Sequence, residues 1–219
     1  MKKIMFNDLY GLHDAVMRKH KTQTRRIIPK SVLEKADAYR VEYYNGAFDN
    51  ITLKEAVEQL YFAEKRLKLP YSIGETVAVA QRYSDIVNES AELNDILLDS
   101  DGKPENAYLK GWNNKMFIQP HLMPHHIRIT NIRIEQLQDI SDEDVLKEGF
   151  YYNSVNDGFG TAASHWEYGI VYYDKLGRSK EISSRYAKEA YSFLIDKISG
   201  IGTWESNPMV IVYDFELVD

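Results

Sequence analysis

The sequence of 219 residues contains no cysteine. Disulfide bonds, thiolate metal sites and a thiol nucleophile are therefore excluded, and the absence is typical of a reducing compartment. No stretch approaches the run of about 20 apolar residues that a membrane helix needs. Asn7 and Asp8 also interrupt the amino-terminal apolar residues before they reach the length of a signal peptide. We therefore expect a cytoplasmic protein without a membrane partner.

Positive charge is scarce over most of the chain. The formal net charge is −6, which argues against a general binder of polyanions. Residues 1–30, however, contain eight Lys or Arg against two Asp, so this segment carries +6 and the remaining residues carry −12. A local cationic site on an acidic body suits a small anionic or polar ligand, or a few phosphates, better than a long duplex.

Four segments have the apolar spacing of amphipathic helices. They are residues 7–19 with Asn7 as N-cap, residues 52–69 behind a capping box of Thr52 and Glu55, residues 141–148 capped by Ser141, and residues 184–199. Repeats, low-complexity tracts and linkers are absent, so we expect a single domain over residues 1–219.

The intervening segments favour strands. Residues 22–28 are expected to be extended before Pro29, and "YRVEYYNGAFDNI" is typical of a hairpin with an Asn45-Gly46 turn. "GETVAVAQRY" and "YGIVYYDKLGR" also favour strands, and "NPMVIVYDFELV" is apolar on both faces, which favours a central one. Residues 84–110 are polar and are expected to form an excursion on the surface.

The apolar alternation in "HHIRITNIRIEQL" changes phase between Ile129 and Ile132. A bulge near Thr130 and Asn131 would return all the isoleucines to one buried face, as the closing of a barrel often requires. The strands are interleaved with helices of different lengths, and no regular βαβ rhythm occurs. The fold class is therefore predicted to be α+β, with a small curved sheet or barrel.

An ordered set of segments resembles the ASCH-domain proteins, in particular those carried by phages and prophages. The set is "KTQTRR", "GETVAVAQRY", "MPHHIRITNIRIEQLQDISDEDVLKEGF" and "GTWESNPMVIVYDFELV". The family belongs to the PUA-like superfamily, so the resemblance implies a small mixed β-barrel with flanking helices. Segments 31–69, 84–110 and 151–182 fall outside the resemblance and are interpreted as insertions.

The resemblance also implies a function. ASCH domains are proposed to bind RNA or nucleotides, and one branch, the small bacterial N4-acetylcytidine amidohydrolases, uses a lysine, a threonine three residues later and a distant glutamate. These fall on Lys21, Thr24 and Glu148, and the arginine that follows falls on Arg26. The chain departs from the family at Lys19, where a glycine is usual, and it is about twice the length of those enzymes.

The chemistry of these residue types is consistent with amide hydrolysis. A threonine hydroxyl is a poor nucleophile unless a base takes its proton. Lysine serves only if its pKa falls, through burial or through nearby cations such as Lys19, Arg25 and Arg26. In a regular strand Lys21 and Thr24 point to opposite faces, so the chain must turn or bulge between them. Glu148 is expected at a helix carboxyl terminus, where the dipole favours the protonated form that a proton donor needs.

Further residues are candidates for binding the ligand. They are Thr22, Arg25, Arg26, Tyr71, Gln81 and Trp204. His121, His125 and His126 fit no standard zinc spacing, so neither a metal nor a cofactor is expected. The expected partner is RNA or a nucleoside-like small molecule, and the oligomeric state stays open.

Three functions remain as alternatives. The chain binds RNA, a nucleoside or a modified nucleobase in a cationic cleft; or the cleft is a metal-independent amidohydrolase acting on an N-acylated nucleoside; or the chain is a phage-derived interaction protein without catalysis. Cations after an amphipathic helix are, by themselves, more often a solvated helix end than a site. Glu148 alone is more often a surface residue than an acid.

Overall fold

The computed structural model of the chain describes residues 1–44, 51–156, 164–174 and 176–219. Its strands are β1 (Lys3–Ile4), β2 (Gln23–Ile27), β3 (Thr76–Val79), β4 (His126–Gln136), β5 (Tyr151–Asn156), β6 (Ser164–Tyr173), β7 (Ser179–Ser184) and β8 (Met209–Leu217). Its α-helices are α1 (Leu12–Met17), α2 (Lys30–Tyr44), α3 (Leu53–Glu58), α4 (Tyr83–Ile86), α5 (Ala91–Leu97), α6 (Leu109–Trp112), α7 (Asp142–Lys147) and α8 (Ala187–Ser199). The α+β class is confirmed.

Five strands form the main sheet, in the order β1-β3-β4-β8-β2. Only β1 and β3 are parallel; the other pairs are antiparallel. The prediction that the last strand is central is confirmed, because β8 pairs with both β4 and β2. The sheet is open within the described residues, since the edge strands β1 and β2 do not pair with each other. A closed barrel is therefore not formed there, and the outer edge of β2 is left available for a site.

The predicted bulge in β4 is confirmed. Ile129 is opposite Phe215 and Asn131 is opposite the next residue back, Asp214, so Thr130 is the extra residue. On either side of this bulge Ile127, Ile129, Ile132 and Ile134 are all buried. One inserted residue thus returns the second half of the strand to the core face.

The two faces of the main sheet differ in chemistry. Directly paired residues of neighbouring strands point to the same face, so the register defines both faces. One face is apolar and consists of Ile129, Ile132, Ile134, Ile211, Tyr213 and Phe215, joined at the β2 edge by Thr24 and Arg26. The other, which we call the charged face, carries Gln23, Arg25, Arg133, Glu135 and Asp214.

Two of the predicted helices begin later than expected. The first begins at Leu12, because the side-chain oxygen of Asn7 accepts the Leu9 N–H and closes a local turn instead of capping the helix. The last begins at Ala187. The capping box of Thr52 and Glu55 is confirmed, and α3 continues as a π-helix over Gln59–Ala63.

The prediction of a hairpin over residues 39–51 is wrong. Residues up to Tyr44 lie in α2, and Asn45-Gly46 lies outside the described residues. Val32, Leu33, Ala36 and Tyr39 follow the helical spacing and lie fully or partly buried against the core. This apolar stripe extends into the start of the predicted hairpin and favours a helix over a strand there.

Two of the segments interpreted as insertions contain regular structure. Residues 84–110 are not a polar excursion: α4, α5 and α6 surround a second hydrophobic cluster that includes Tyr83, Leu93 and Leu97. Residues 151–184 contain the second sheet, in the order β5-β6-β7. None of the helices in the described ranges is long and apolar enough to span a membrane.

Candidate functional site

A cavity of about 290 Å³ opens at the outer edge of β2, between the segment after β1 and helix α8. Its volume lies at the small end of the range of ligand pockets, roughly 300–1,000 Å³. The polar groups on its wall are Asn7, Lys21, Thr24, Arg25, Arg26, Glu148 and Ser199. The apolar remainder includes Phe6, Leu12, Ile27, Leu137, Tyr191, Leu194, Ile195, Ile198 and Val210. The cavity therefore combines a polar end with a largely aliphatic wall.

Two turns of the chain bring Lys21 and Glu148 together. After α1, Lys19 adopts a left-handed conformation with φ of 59°, and the Lys21 N–H donates to the Ala15 carbonyl at 2.9 Å. Lys21 then pairs with Glu148 in an isolated antiparallel bridge. Lys19 thus occupies the conformation that favours glycine, so the tight turn is kept although the glycine usual in the family is absent.

Gly149 makes the other side of this junction possible. It follows Glu148 with φ of 106°, and a Cβ placed on it would lie 3.1 Å from the Ala15 Cβ and 3.4 Å from the Lys21 Cβ. Ser141 caps α7 by accepting the Asp144 N–H at 3.1 Å, as predicted, and Glu148 is the C-cap residue. The close approach of these backbones fixes Glu148 beside Lys21.

The ammonium group of Lys21 is almost completely buried, with 1% of the side chain exposed. Its Nζ donates to the Glu148 carbonyl oxygen at 3.0 Å and to Glu148 Oε2. Burial lowers the pKa of Lys21 below the ordinary lysine value; Glu148 opposes this shift, and Arg26 and Arg25 add to it. The main cause of the lowered pKa is therefore burial, and not the neighbouring cations on which the sequence argument relied.

Thr24 lies on the wall of the same cavity, and its hydroxyl has no hydrogen-bond partner within the described part of the chain. The turn at Lys19 and the bridge to Glu148 let Lys21 leave the alternation of β2, so Lys21 and Thr24 both line the cavity. The structure thus brings together Lys21, Thr24, Arg25, Arg26 and Glu148. A buried amine with a lowered pKa and an unengaged hydroxyl are the groups that nucleophilic catalysis by threonine requires.

Arg25 is held by the protein itself. Its Nε donates to Glu135 Oε1 at 2.9 Å, its NH2 nitrogen lies 2.7 Å from the same oxygen, and NH2 donates to Asp144 at 3.0 Å. Its NH1 donates to Gln23 at 2.5 Å and to Glu148 Oε1 at 3.0 Å. All three guanidinium nitrogens therefore donate to protein oxygens. These contacts favour an internal role for Arg25 over the predicted contact with a ligand.

Arg26 is the cation that remains available. It lies on the opposite face of β2 from Arg25, is exposed, and donates one N–H to the Met5 carbonyl at 2.8 Å. Its other donors have no partner in the described ranges and can bind an oxygen in the cavity. A guanidinium with free donors suits a developing oxyanion or a polar ligand group.

Four predicted binding residues lie outside the cavity wall. Thr22 lines a separate, polar pocket with Gln23, Arg133 and Lys147, because it lies before the point where β2 meets the cavity. Tyr71 donates its hydroxyl to the Lys3 carbonyl at 2.9 Å. Its ring packs on that of Tyr213, so it belongs to the core.

Gln81 and Trp204 are the other two. Gln81 is buried at the end of β3, where its N–H donates to the sulfur of Met123. Trp204 packs edge-on against Tyr191 with ring centroids 6.2 Å apart, and Tyr191 separates it from the cavity.

Sequence reasoning missed several residues of the site. Glu135 and Asp144 anchor Arg25, and Tyr191 contributes a buried ring whose hydroxyl pKa is raised well above its usual value, chiefly by burial. The apolar spacing of α8 is a signal for a buried face, but it does not reveal that Leu194, Ile195 and Ile198 line a cavity. Within the described residues, no group of three or more His, Cys, Asp or Glu side chains is placed to hold a metal ion.

Comparison with protein-family models, with curated proteins and with solved structures gave no match for this chain. The geometry of the cavity and the chemistry of the residues that line it are therefore the basis for a functional proposal.

Proposed function

We propose that the cavity at the edge of β2 binds a nucleoside-sized molecule and hydrolyses an N-acyl amide on it, as the resemblance to ASCH-domain proteins of the PUA-like superfamily suggests. The observation that carries the proposal is the meeting of Lys21, Thr24 and Glu148 in one cavity, although Glu148 is 127 residues from Lys21. The volume of about 290 Å³ suits a nucleobase or nucleoside. An RNA strand would have to present a single unstacked base to enter.

In this mechanism neutral Lys21 takes the proton of the Thr24 hydroxyl while the Thr24 oxygen attacks the acyl carbon. The carbonyl oxygen becomes an oxyanion near the free donors of Arg26. Glu148 accepts N–H bonds from both Lys21 and Arg25 before the reaction. It therefore donates to the leaving nitrogen only after Lys21 has passed on the proton. Lys21 then takes a proton from water as the water oxygen attacks the acyl carbon, and it gives this proton to the Thr24 oxygen as the C–O bond breaks and the carboxylic acid leaves.

The experiment is incubation with N4-acetylcytidine and related N-acylated nucleosides, followed by measurement of the released carboxylate. Thr24→Val removes the hydroxyl at nearly constant volume and is expected to abolish detectable turnover, because the acyl intermediate forms on the Thr24 oxygen in this mechanism. Thr22→Val is the matched control, since Thr22 lies two residues away and outside the cavity. The proposed hydrolysis would be contradicted if the wild-type protein turned over no acylated nucleoside, or if Thr24→Val kept full turnover.

Binding without hydrolysis is the second candidate, and the free donors of Arg26 favour it. Affinity for RNA or a nucleotide is then expected to fall with rising salt with a slope of only a few ions, and Arg26→Gln is expected to weaken binding about tenfold or more. Undetectable binding to RNA, nucleotides and nucleosides at low salt would leave the third candidate, a phage-derived protein-interaction module.

A further inference from the structure

The charged face of the main sheet contains a buried network centred on Arg25. Only 1% of the Arg25 side chain is exposed, and Glu148, Glu135 and Asp144 are exposed by 6%, 12% and 15%. Removing these charges from water costs several kcal/mol for each ion. Apolar residues of similar volume at such positions are often equally stable or more stable. Packing alone therefore does not account for this arrangement.

In this network the two carboxylate oxygens of Glu148 accept hydrogen bonds from two different residues. Oε1 accepts Arg25 NH1 at 3.0 Å, and Oε2 accepts the Lys21 ammonium. The guanidinium is itself fixed at its other side by Glu135 and Asp144. Since a guanidinium is planar and rigid, fixing that side also fixes the direction from which NH1 reaches Glu148.

We propose that Arg25 is a positioning residue, which holds one oxygen of Glu148 so that the other is directed at Lys21. The proposal rests on the proposed hydrolysis for its kinetic consequences, but the orientation of the Lys21–Glu148 pair can be tested without any substrate. Arg25 is assigned no contact with substrate, because each of its three guanidinium nitrogens already donates to a protein oxygen.

Arg25 also acts on the charge of Lys21. The groups that face Lys21 are Glu148 from the end of α7 and Arg25 and Arg26 from β2, with the Tyr191 hydroxyl of α8 and Glu135 of β4 around Arg25. The positive charge of Arg25 opposes protonation of Lys21. Loss of that charge also leaves Glu148 without its second partner, which strengthens the attraction of Glu148 for a protonated Lys21.

Two variants separate the charge of Arg25 from its geometry. Arg25→Lys keeps the cation but has a single nitrogen in place of the five-donor fork, whereas Arg25→Gln loses the cation. Lys21 is titrated by NMR in protein with isotope-labelled lysine, and turnover is measured against pH in the same variants. Arg128→Lys is the control, because Arg128 of β4 forms an exposed ion pair with Glu216 of β8. This change is expected to alter neither the Lys21 titration nor the pH dependence of turnover.

In Arg25→Gln the Lys21 titration is expected to move to higher pH by roughly one unit. The limb of the pH–rate profile that requires neutral Lys21 moves with it. In Arg25→Lys the titration is expected to stay within about half a unit of the wild type, while kcat falls about 10²-fold through misplacement of Glu148 and KM changes little.

The proposal is overturned if Arg25→Lys keeps the wild-type kcat, or if folded Arg25→Gln leaves the Lys21 titration unmoved. If Arg25→Gln does not fold, Glu135→Gln replaces it, because this change loosens the anchor and keeps the guanidinium. It is expected to lower kcat at constant KM, and unchanged kcat would then count against the proposal. If the wild type hydrolyses nothing, the hydrolase fails, and the Lys21 titration in Arg25→Gln still decides whether Arg25 controls the pair.

Discussion

The apolar and charged faces of the main sheet are built on the same strands, yet they follow different physical rules. On the apolar face, Ile129, Ile132 and Ile134 need only be buried, and their contacts are not directional. On the charged face, Arg25 needs four partners at defined distances, which come from β2, β4, α7 and its C-cap. We expect the apolar face to tolerate substitutions that keep volume, whereas removal of a single partner on the charged face leaves another charge buried and unpaired.

The neighbours Arg25 and Arg26 show this difference within one strand. The side chain of Arg25 points to the charged face, where protein oxygens accept its hydrogen bonds. The side chain of Arg26 points to the other face and is exposed at the cavity. Because successive side chains of a strand alternate, two neighbouring arginines reach opposite faces, and one is bound by protein groups while the other is exposed. The first contributes orientation and the second contributes free donors.

The strongest test exchanges the two faces. Deleting Thr130 removes the bulge residue, so Ile132 and Ile134 turn toward the charged face or lose their register with β8. We expect a loss of several kcal/mol, a large part of the roughly 5–15 kcal/mol that stabilises a domain, and hence no cooperative transition in urea. Thr130→Ala keeps the length and is the control, with an expected cost below about 1 kcal/mol. A deletion variant with the wild-type midpoint would show that the bulge does not set the faces.

A second test removes one charge from the charged face. Glu148→Gln leaves Lys21 and Arg25 without their shared anion and is expected to destabilise the protein by about 3–5 kcal/mol. Ile134→Val on the apolar face is expected to cost about 0.5–1.5 kcal/mol. Urea unfolding followed by circular dichroism measures both. Glu216→Gln, at the exposed pair with Arg128, is expected to change stability by less than about 1 kcal/mol. Equal costs for Glu148→Gln and Ile134→Val would remove the distinction between the faces.

A third test uses pH. The folded-state pKa of Lys21 lies below its ordinary value of 10.5, so between the two values the unfolded state binds more protons. The Lys21 contribution to the free energy of unfolding therefore rises with pH through that window, by about 1.4 kcal/mol per pH unit.

The difference in free energy of unfolding between wild type and Lys21→Met, measured from pH 7 to 10, is the readout. Lys30→Met, at an exposed lysine, is the control. A difference that is flat with pH would contradict the lowered pKa.

The smallest effect is expected at the turn that brings Lys21 beside Glu148. Lys19 has φ of 59°, which costs a non-glycine residue about 1–2 kcal/mol. Lys19→Gly relieves this strain but frees the unfolded chain, so a gain below about 1 kcal/mol is expected. Lys65→Gly, at φ of 54° and outside the cavity wall, should give a similar gain. If Lys19→Gly lowers stability while Lys65→Gly does not, the Lys19 side chain stabilises the turn by contacts of its own.

The features that could be predicted from the sequence are local or periodic. The bulge follows from the phase change of the isoleucines, the central place of β8 from its two apolar faces, and the start of α7 from Ser141. The family resemblance named Lys21, Thr24 and Glu148, and the structure places them on one cavity. Each of these predictions needed only neighbouring residues or a motif.

The features that could not be predicted depend on residues remote in sequence. Glu135 and Glu148 lie 110 and 123 residues from Arg25, so nothing local shows that they occupy its donors. The strand expected at residues 39–44 was outweighed by the apolar stripe of α2, and Asn7 could close a turn as easily as cap a helix. Tyr71 has the residue type of a pocket wall, but its neighbours in space make it part of the core.

Strand β3 lies between two hydrophobic clusters, and we expect the residues of each cluster to vary independently of the other. Val77 and Val79 pack into the main core, whereas Ala78 and Ala80 pack into the helical cluster of residues 83–123. Since the valines and alanines alternate along the chain, one side of β3 presents valines to the main core and the other presents alanines to the helical cluster. We expect an enlarged residue at 78 or 80 to displace the helical cluster and to leave the cavity at the edge of β2 undisturbed, so that the helical cluster can gain or lose length at little cost to that cavity.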